Sequence, residues 1–164
     1  SDDGGSLSSD SGQFLVREFD EKLGFSKTID KYLTLKDDRL YYKHSNINIL
    51  RQKIYQMIAG YDTDSAAESL VDDPVFTHVI GTESLASQSS LSRFFNRFDK
   101  HSNASLQKAN EALLDKVHRL RKRETVIFNL DSTHAIAYNA HYGNIGFHPL
   151  VAFDRMTGEV LKAK

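Results

Sequence analysis

One carboxylate stands apart in a run that otherwise reads as a strand. Thr125-Val-Ile-Phe-Asn-Leu-Asp131 is rich in β-branched and aromatic residues until Asp131, and Ser132-Thr133 follow it. By alternation Val126, Phe128 and Leu130 share one face, and Asp131 falls on the other with Thr125, Ile127 and Asn129. A carboxylate closing a buried strand is costly unless it is hydrogen-bonded or holds a cation. A hard cation such as Mg²⁺ takes carboxylate oxygen and water. The plainer reading is an Asp that caps the next turn, the commoner use of Asp-Ser-Thr. Close behind, His134, His141 and His148 recur at seven-residue intervals and with Asp131 form a formal zinc-hydrolase set. Their spacing fits no i, i+4 helix pair, so packing or substrate contact is the better reading.

A second constellation lies upstream. Ser87 is placed to cap a helix over Gln88–Phe98, where Leu91, Phe94, Phe95 and Phe98 fall on one apolar face. The opposite face carries Ser89, Arg93, Asn96, Arg97 and Lys100. Arg, Asn and Gln can hydrogen-bond base edges, and Ser and Lys suit phosphates, so this face suits a DNA groove. The competing reading is an ordinary solvated helix. Charge distribution bears on the choice. The net charge is only −1, yet residues 93–123 hold nine basic and three acidic side chains, and 26–60 hold seven and three. Residues 61–92 hold six acidic side chains and no basic one. A nearly neutral chain can therefore present a basic face to a polyanion.

The elements that position these residues follow from periodicity and caps. Residues 1–10 are Ser/Asp/Gly-rich and read as disordered or as a remnant of expression. Asp10 or Ser11 caps a helix with Phe14, Leu15, Phe19 and Leu23 as its apolar stripe and Gly24 as its stop. Ser26 opens a short helix over Ile29 and Leu33, and a polar loop runs from Lys36 to His44. Ser45 caps a helix striped by Ile47, Leu50, Ile54, Met57 and Ile58. Asp64 and Asp73-Pro74 start two more short helices, and Gly81 ends the second. Asn103 caps a long helix over Leu106, Ala109, Leu113, Val117 and Leu120, which ends in Arg119, Arg121, Lys122 and Arg123. Strands then follow over 125–131, 145–153 and 160–163, with a hairpin turn at Asp154–Gly158. The expected fold class is α+β: a helical region over 11–123, then three strands over 124–164. A three-stranded sheet is thin, the chain starts without Met, and it stops in an apparent strand. Together these read as a piece of a longer protein.

Composition excludes several chemistries. No cysteine is present, which removes thiol nucleophiles, disulfides and Cys-type zinc or iron–sulfur sites. No apolar run approaches the ~20 residues of a membrane span, and the first residues have no signal-peptide pattern. Gly143-Asn-Ile-Gly146 lacks the Lys-Ser/Thr of a phosphate-binding loop, and no Gly-x-Ser-x-Gly elbow occurs.

The ordered motifs carry a resemblance. Asn129-Leu-Asp-Ser-Thr133, Tyr138-Asn-Ala-His-Tyr-Gly143, Gly146-Phe-His-Pro-Leu-Val-Ala-Phe153 and Thr157-Gly-Glu-Val-Leu-Lys162 are one half of it. Leu7-Ser-Ser-Asp-Ser-Gly12, Arg51-Gln-Lys-Ile-Tyr-Gln56, Asp73-Pro-Val-Phe76 and Leu85-Ala-Ser-Gln-Ser-Ser-Leu-Ser-Arg93 are the other. Together they resemble the bacterial insertion-sequence transposases of the DDE class, thirteen-eighty group, over residues 7–164. The resemblance implies a helical DNA-binding region, then a ribonuclease-H-like catalytic domain. There two aspartates and a glutamate hold Mg²⁺ for cleavage and strand transfer. Asp131 matches the first aspartate and so the first metal ligand. Asn139, His141, Tyr142 and His148 match motif positions without an assigned role. Two departures stand out: the link His134-Ala-Ile-Ala137 is shorter than the family's loop, and the second aspartate and the glutamate are expected beyond Lys164.

The implied partner is double-stranded DNA at terminal inverted repeats, with a homodimer as the assembly to test and no membrane. The implied location is the bacterial cytoplasm, with the nucleoid. DNA contacts fall to Ser89, Arg93, Asn96, Arg97, Lys100, Arg119, Arg121, Lys122 and Arg123. The chain alone is expected to be inactive. The alternative is a non-catalytic DNA-binding or dimerising regulator derived from a transposase.

Overall fold

The structure is a computed structural model and describes residues 8–121, 125–132, 135–139, 144–147 and 150–163. It is α+β, and it divides into two compact units, 1–105 and 106–164.

The first unit is helical. It holds α1 (Gln13–Leu23), α2 (Phe25–Tyr32), α3 (Asn46–Ile58), α4 (Ala66–Ser69), α5 (Pro74–Ile80), α6 (Gln88–Phe95) and the first turns of α7 (Lys100–Leu120). Gly24 takes φ 67° and donates its N–H to the Asp20 carbonyl, so α1 stops and α2 starts at once. Asp73 caps α5 by accepting from the Val75 and Phe76 amides, with Pro74 at the first position, as its sequence predicts. The core joins Tyr55 of α3, Leu70, Phe76, Val79 and Ile80 of α5, and Leu85.

Several expected faces are turned. The stripe on α1 predicts burial of Phe14, Leu15 and Phe19, but these are exposed and Gln13 and Asp20 are buried. On α3 the buried residues are Ile49, Leu50, Gln52, Tyr55 and Gln56, while Met57 and Ile58 are exposed. A polar network explains the rotation. Asp20 accepts from the Ser26 amide (2.8 Å), the Ser26 hydroxyl and Tyr55 Oη (2.7 Å), and Arg51 Nε lies 3.6 Å away. Burial alone would raise the Asp20 carboxyl. The hydrogen bonds from Ser26 and Tyr55, with the Arg51 charge, outweigh it and hold Asp20 below its usual value. A buried carboxylate satisfied this fully can replace an apolar stripe as the inward face. Ser26 is spent on this network, so it does not cap α2, which begins at Phe25.

The start of α7 also differs. Asp99, not Asn103, caps it: Asp99 Oδ1 accepts from the Ser102 amide (2.8 Å), and the Asp99 amide donates to Ser102 Oγ (2.6 Å). This reciprocal pair satisfies two amides that Asn103 would leave open.

The second unit holds the rest of α7 and the strands β1 (Phe128–Ser132), β2 (Ala135–Asn139), β3 (Asn144–Phe147), β4 (Leu150–Asp154) and β5 (Val160–Ala163). β1, β4 and β5 form an antiparallel sheet in that order, with Asp131 opposite Val151. β2 and β3 form a separate antiparallel pair. The single strand expected over 145–153 is thus two strands with different partners. In the sequence, Pro149, which has no N–H for a ladder, stands between them. Asn110 Nδ2 of α7 donates to the Val160 carbonyl (2.9 Å), and His118 Nε2 lies 3.2 Å from Glu159 Oε2. Asp154 is buried and its Oδ1 accepts from the Met156 amide, which builds the β4–β5 turn.

Candidate nucleic-acid interface

α6 is built to hold one face still and leave the other open. Ser87, in extended conformation, caps it by accepting from the Ser90 amide. Leu91 and Phe94 are 0% and 1% exposed, and the Phe94 ring meets the Phe95 and Phe98 rings edge-on, each at 5.1 Å. The segment before the helix is pinned by Gln52, whose amide group bonds both the N–H and the C=O of Ala86. Glu68 Oε1 accepts from the Gln88 amide at 2.9 Å. Gln88, Ser89, Ser92, Arg93 and Asn96 are exposed.

The helix ends at Phe95, short of the expected Phe98, and this divides the predicted DNA-contacting set. Ser89 and Arg93 share a face, with Arg93 Nη2 3.3 Å from Ser89 Oγ. Asn96 is the C-cap residue. Lys100 is the exposed first residue of α7. Arg97 is different: its Nη1 lies 3.0 Å from Asp37 Oδ1, its Nη2 donates to Asn46 Oδ1 (2.8 Å), and its guanidinium sits over the Phe94 ring. Its half-buried side chain therefore ties the 37–46 segment to α6. Arg119 and Arg121 belong to the other unit. Both are exposed; Arg119 Nε donates to the Asp115 carbonyl, and Arg121 lies 3.7 Å from Glu159. Lys122 and Arg123 lie outside the described residues.

The loop expected to be merely polar contributes a second set of cations. Arg39, Tyr41, Tyr42, Lys43 and His44 line one wall of a cleft of about 570 Å³, and Arg93 and Arg97 line another. Arg39 holds Asp37 through two contacts of 2.6 Å, which keeps the Asp37 carboxyl far below the carboxylate range. Sequence reasoning passed over these residues. The signal was present in Arg39-Leu-Tyr-Tyr-Lys43, where two cations flank two aromatics.

Asp131 does not close a buried strand. Residues 125–131 are all exposed, with Phe128 at 71% and Leu130 at 65%. The desolvation argument for a cation at Asp131 therefore loses its premise. Among the described residues, no three His, Cys, Asp or Glu side chains gather into a metal-binding group. A lone carboxylate is one donor of the six oxygens that octahedral Mg²⁺ requires, so the described residues do not fit the metal by themselves. Asn139 pairs with Asn144 across β2 and β3. His134, His141, Tyr142 and His148 lie outside the described residues. No described helix is long and apolar enough to cross a membrane.

Comparison with curated proteins and with solved structures gives no match. The family model described as transposase DDE domain group 1 matches residues 1–164. The substrate of such transposases is DNA, their process is transposition by DNA recombination, and a divalent metal generally serves the reaction. With the match running over its whole length, the chain belongs to transposase DDE domain group 1.

Proposed function

We propose that the helical unit binds the terminal inverted repeats of a bacterial insertion sequence of the thirteen-eighty group. In this reading α6 faces the duplex. Arg93 and Asn96 reach base edges, Arg93 favouring guanine O6/N7 and Asn96 adenine N6/N7. Ser89 and Lys100 hold phosphates. The observation that carries the reading is the division of α6 itself: Leu91 and Phe94 are fully buried while Ser89, Arg93 and Asn96 stay exposed. Arg119, Arg121, Lys122 and Arg123 add sequence-independent attraction to phosphates. A homodimer would place two such helices on paired ends, and the setting is the bacterial cytoplasm, with the nucleoid.

Asp131 is the first carboxylate of a ribonuclease-H-like catalytic centre in this reading. The antiparallel succession β1, β4, β5 supports it as the opening of such a sheet, with Asp131 near the end of β1. When bound, Mg²⁺ would activate water and then a DNA 3′-hydroxyl. Asp131 would contribute one oxygen ligand.

The alternative is a DNA-binding or dimerising regulator without catalysis. The test is binding of this chain to the repeat duplex and to a scrambled duplex across a salt series. Tighter binding to the repeat, weakening steeply with salt, supports α6 as the recognition element. Equal or absent binding at low salt overturns it. Metal-dependent nicking of the bound duplex would exclude the regulator.

A further inference from the structure

We propose that the cleft between residues 39–44 and α6 binds single-stranded DNA, with unpaired bases stacked on Tyr41 and Tyr42 and phosphates held by Lys43 and Arg93. The inference rests on the reading that this chain acts on DNA, but it names a different form of DNA and largely different residues.

Three observations carry it. The first is aromatic exposure. Tyr41 is 93% and Tyr42 60% exposed, beside an exposed Leu40. Adjacent rings held in water offer flat faces to anything planar that lacks its own stacking partner. Bases inside a duplex already stack on both sides; unpaired bases do not.

The second is charge. Arg39, Lys43, Arg93 and Arg97 line the cleft, and the carboxylate bound to this group is Asp37, shared by Arg39 and Arg97. Two guanidiniums on one carboxylate leave a positive remainder. Lys43 Nζ and Arg93 Nη2 bond the hydroxyls of Ser84 and Ser89, neutral partners that leave both charges available to phosphate. His44 is held below its usual value by burial and then by the Lys43 charge, so it adds no charge at neutral pH.

The third is preorganisation. Asp37, Arg39, Asn46 and Arg97 form a closed network: Asn46 Oδ1 accepts from both arginines, and its Nδ2 donates to Asp37 Oδ2 at 3.0 Å. The Arg39 guanidinium lies 5.0 Å from the Tyr42 ring centre, which backs one face and leaves the other for a base. The floor is the buried Ile49 and Phe94. A concave site with an apolar floor, stacking rings and cations suits a strand whose bases have turned out.

The chain has no Trp and seven Tyr, so the share of emission quenched at Tyr41 and Tyr42 is read as the difference between the wild type and a variant that lacks both rings. Three ligands are titrated into the 164-residue chain: a 15-nucleotide thymidylate strand, an abasic strand with the same number of phosphates, and the blunt repeat duplex. The wild type is expected to bind thymidylate at least about fivefold tighter than the abasic strand, with tyrosine quenching. Tyr41→Ala with Tyr42→Ala should remove that margin, leave duplex affinity unchanged and leave the helical circular dichroism intact. Phe at both positions should restore the margin. Equal affinity for thymidylate and the abasic strand overturns the proposal, as does a double Ala variant that keeps the margin or loses duplex binding equally. The two readings fail separately. The margin without any preference for the repeat duplex sinks the α6 reading and leaves the cleft. Preference for the repeat without the margin does the reverse.

Discussion

Gln52 clasps Ala86 from both sides: its Nε2 donates to the Ala86 carbonyl at 2.9 Å, and its Oε1 accepts from the Ala86 amide at 2.8 Å. Both residues are buried, so one side-chain amide replaces a rung of backbone pairing inside the core. Ala86 immediately precedes the Ser87 cap, so the clasp fixes where α6 begins.

Gln52→Leu keeps the volume and removes both hydrogen bonds. Two buried backbone groups are then orphaned, at about 1–3 kcal/mol each. The expected loss is about 2–4 kcal/mol in urea denaturation, read as a lower midpoint with an unchanged slope. Gln52→Glu should also be costly, because it sets an oxygen against the Ala86 carbonyl.

Arg93 and Arg97 were equivalent by sequence, and the structure separates them. Arg97→Ala removes an ion pair with Asp37, a hydrogen bond to Asn46 and a contact over Phe94. It should cost about 1–3 kcal/mol of stability. Arg93→Ala, on an exposed face, should leave stability within about 0.5 kcal/mol. It should weaken binding to the repeat duplex by about 1–3 kcal/mol and leave the salt slope little changed, as the loss of a base contact does. Thermal melts and salt titrations on the two variants check both arms.

These cases show how far the sequence could be read. Caps written into single residues were legible: Ser45, Asp73 and Ser87 each accept from the amides they were expected to satisfy. Faces set by tertiary polar contacts were not. Nothing in the periodicity of α1 says that Asp20 will find Ser26, Tyr55 and Arg51, and without them the apolar stripe would have to turn inward. The cap at Asp99 was missed because Asn103 is as good a capping residue type; only the reciprocal bonds with Ser102 decide between them. Asp131 was picked out by its chemistry, but the burial assumed for it depended on layers that the strand pattern does not specify.

The Asp20–Tyr55 pair gives stability two pH limits. Asp20 is held below its usual value near 3.8, so its contribution is full above about pH 4 and lost as pH falls through the folded value. Tyr55 is pushed above its usual 10.0 by burial and then by Asp20, so its contribution is full below about pH 10 and lost as pH rises further. Urea midpoints measured from pH 3 to 11 should fall at both ends. Tyr55→Phe should flatten the alkaline limb. It should also move the acid limb upward, because Asp20 loses a donor. An acid limb unmoved by Tyr55→Phe would show that the hydroxyl does not hold the carboxylate.

Asp131→Asn separates the two roles open to that residue. The side chain is exposed, so the change should leave stability within about 0.5 kcal/mol. Removing a negative charge cannot weaken attraction to phosphates, so DNA affinity should hold or rise slightly. Placed in a transposase that supplies the other two carboxylates, the same change should abolish divalent-metal-dependent cleavage, since an amide is a far poorer ligand for a hard cation than a carboxylate. Binding and cleavage are measured on one preparation. Retained cleavage would return Asp131 to the plainer role of a turn-capping residue after β1. Lost cleavage with unchanged binding leaves coordination of the metal as its function.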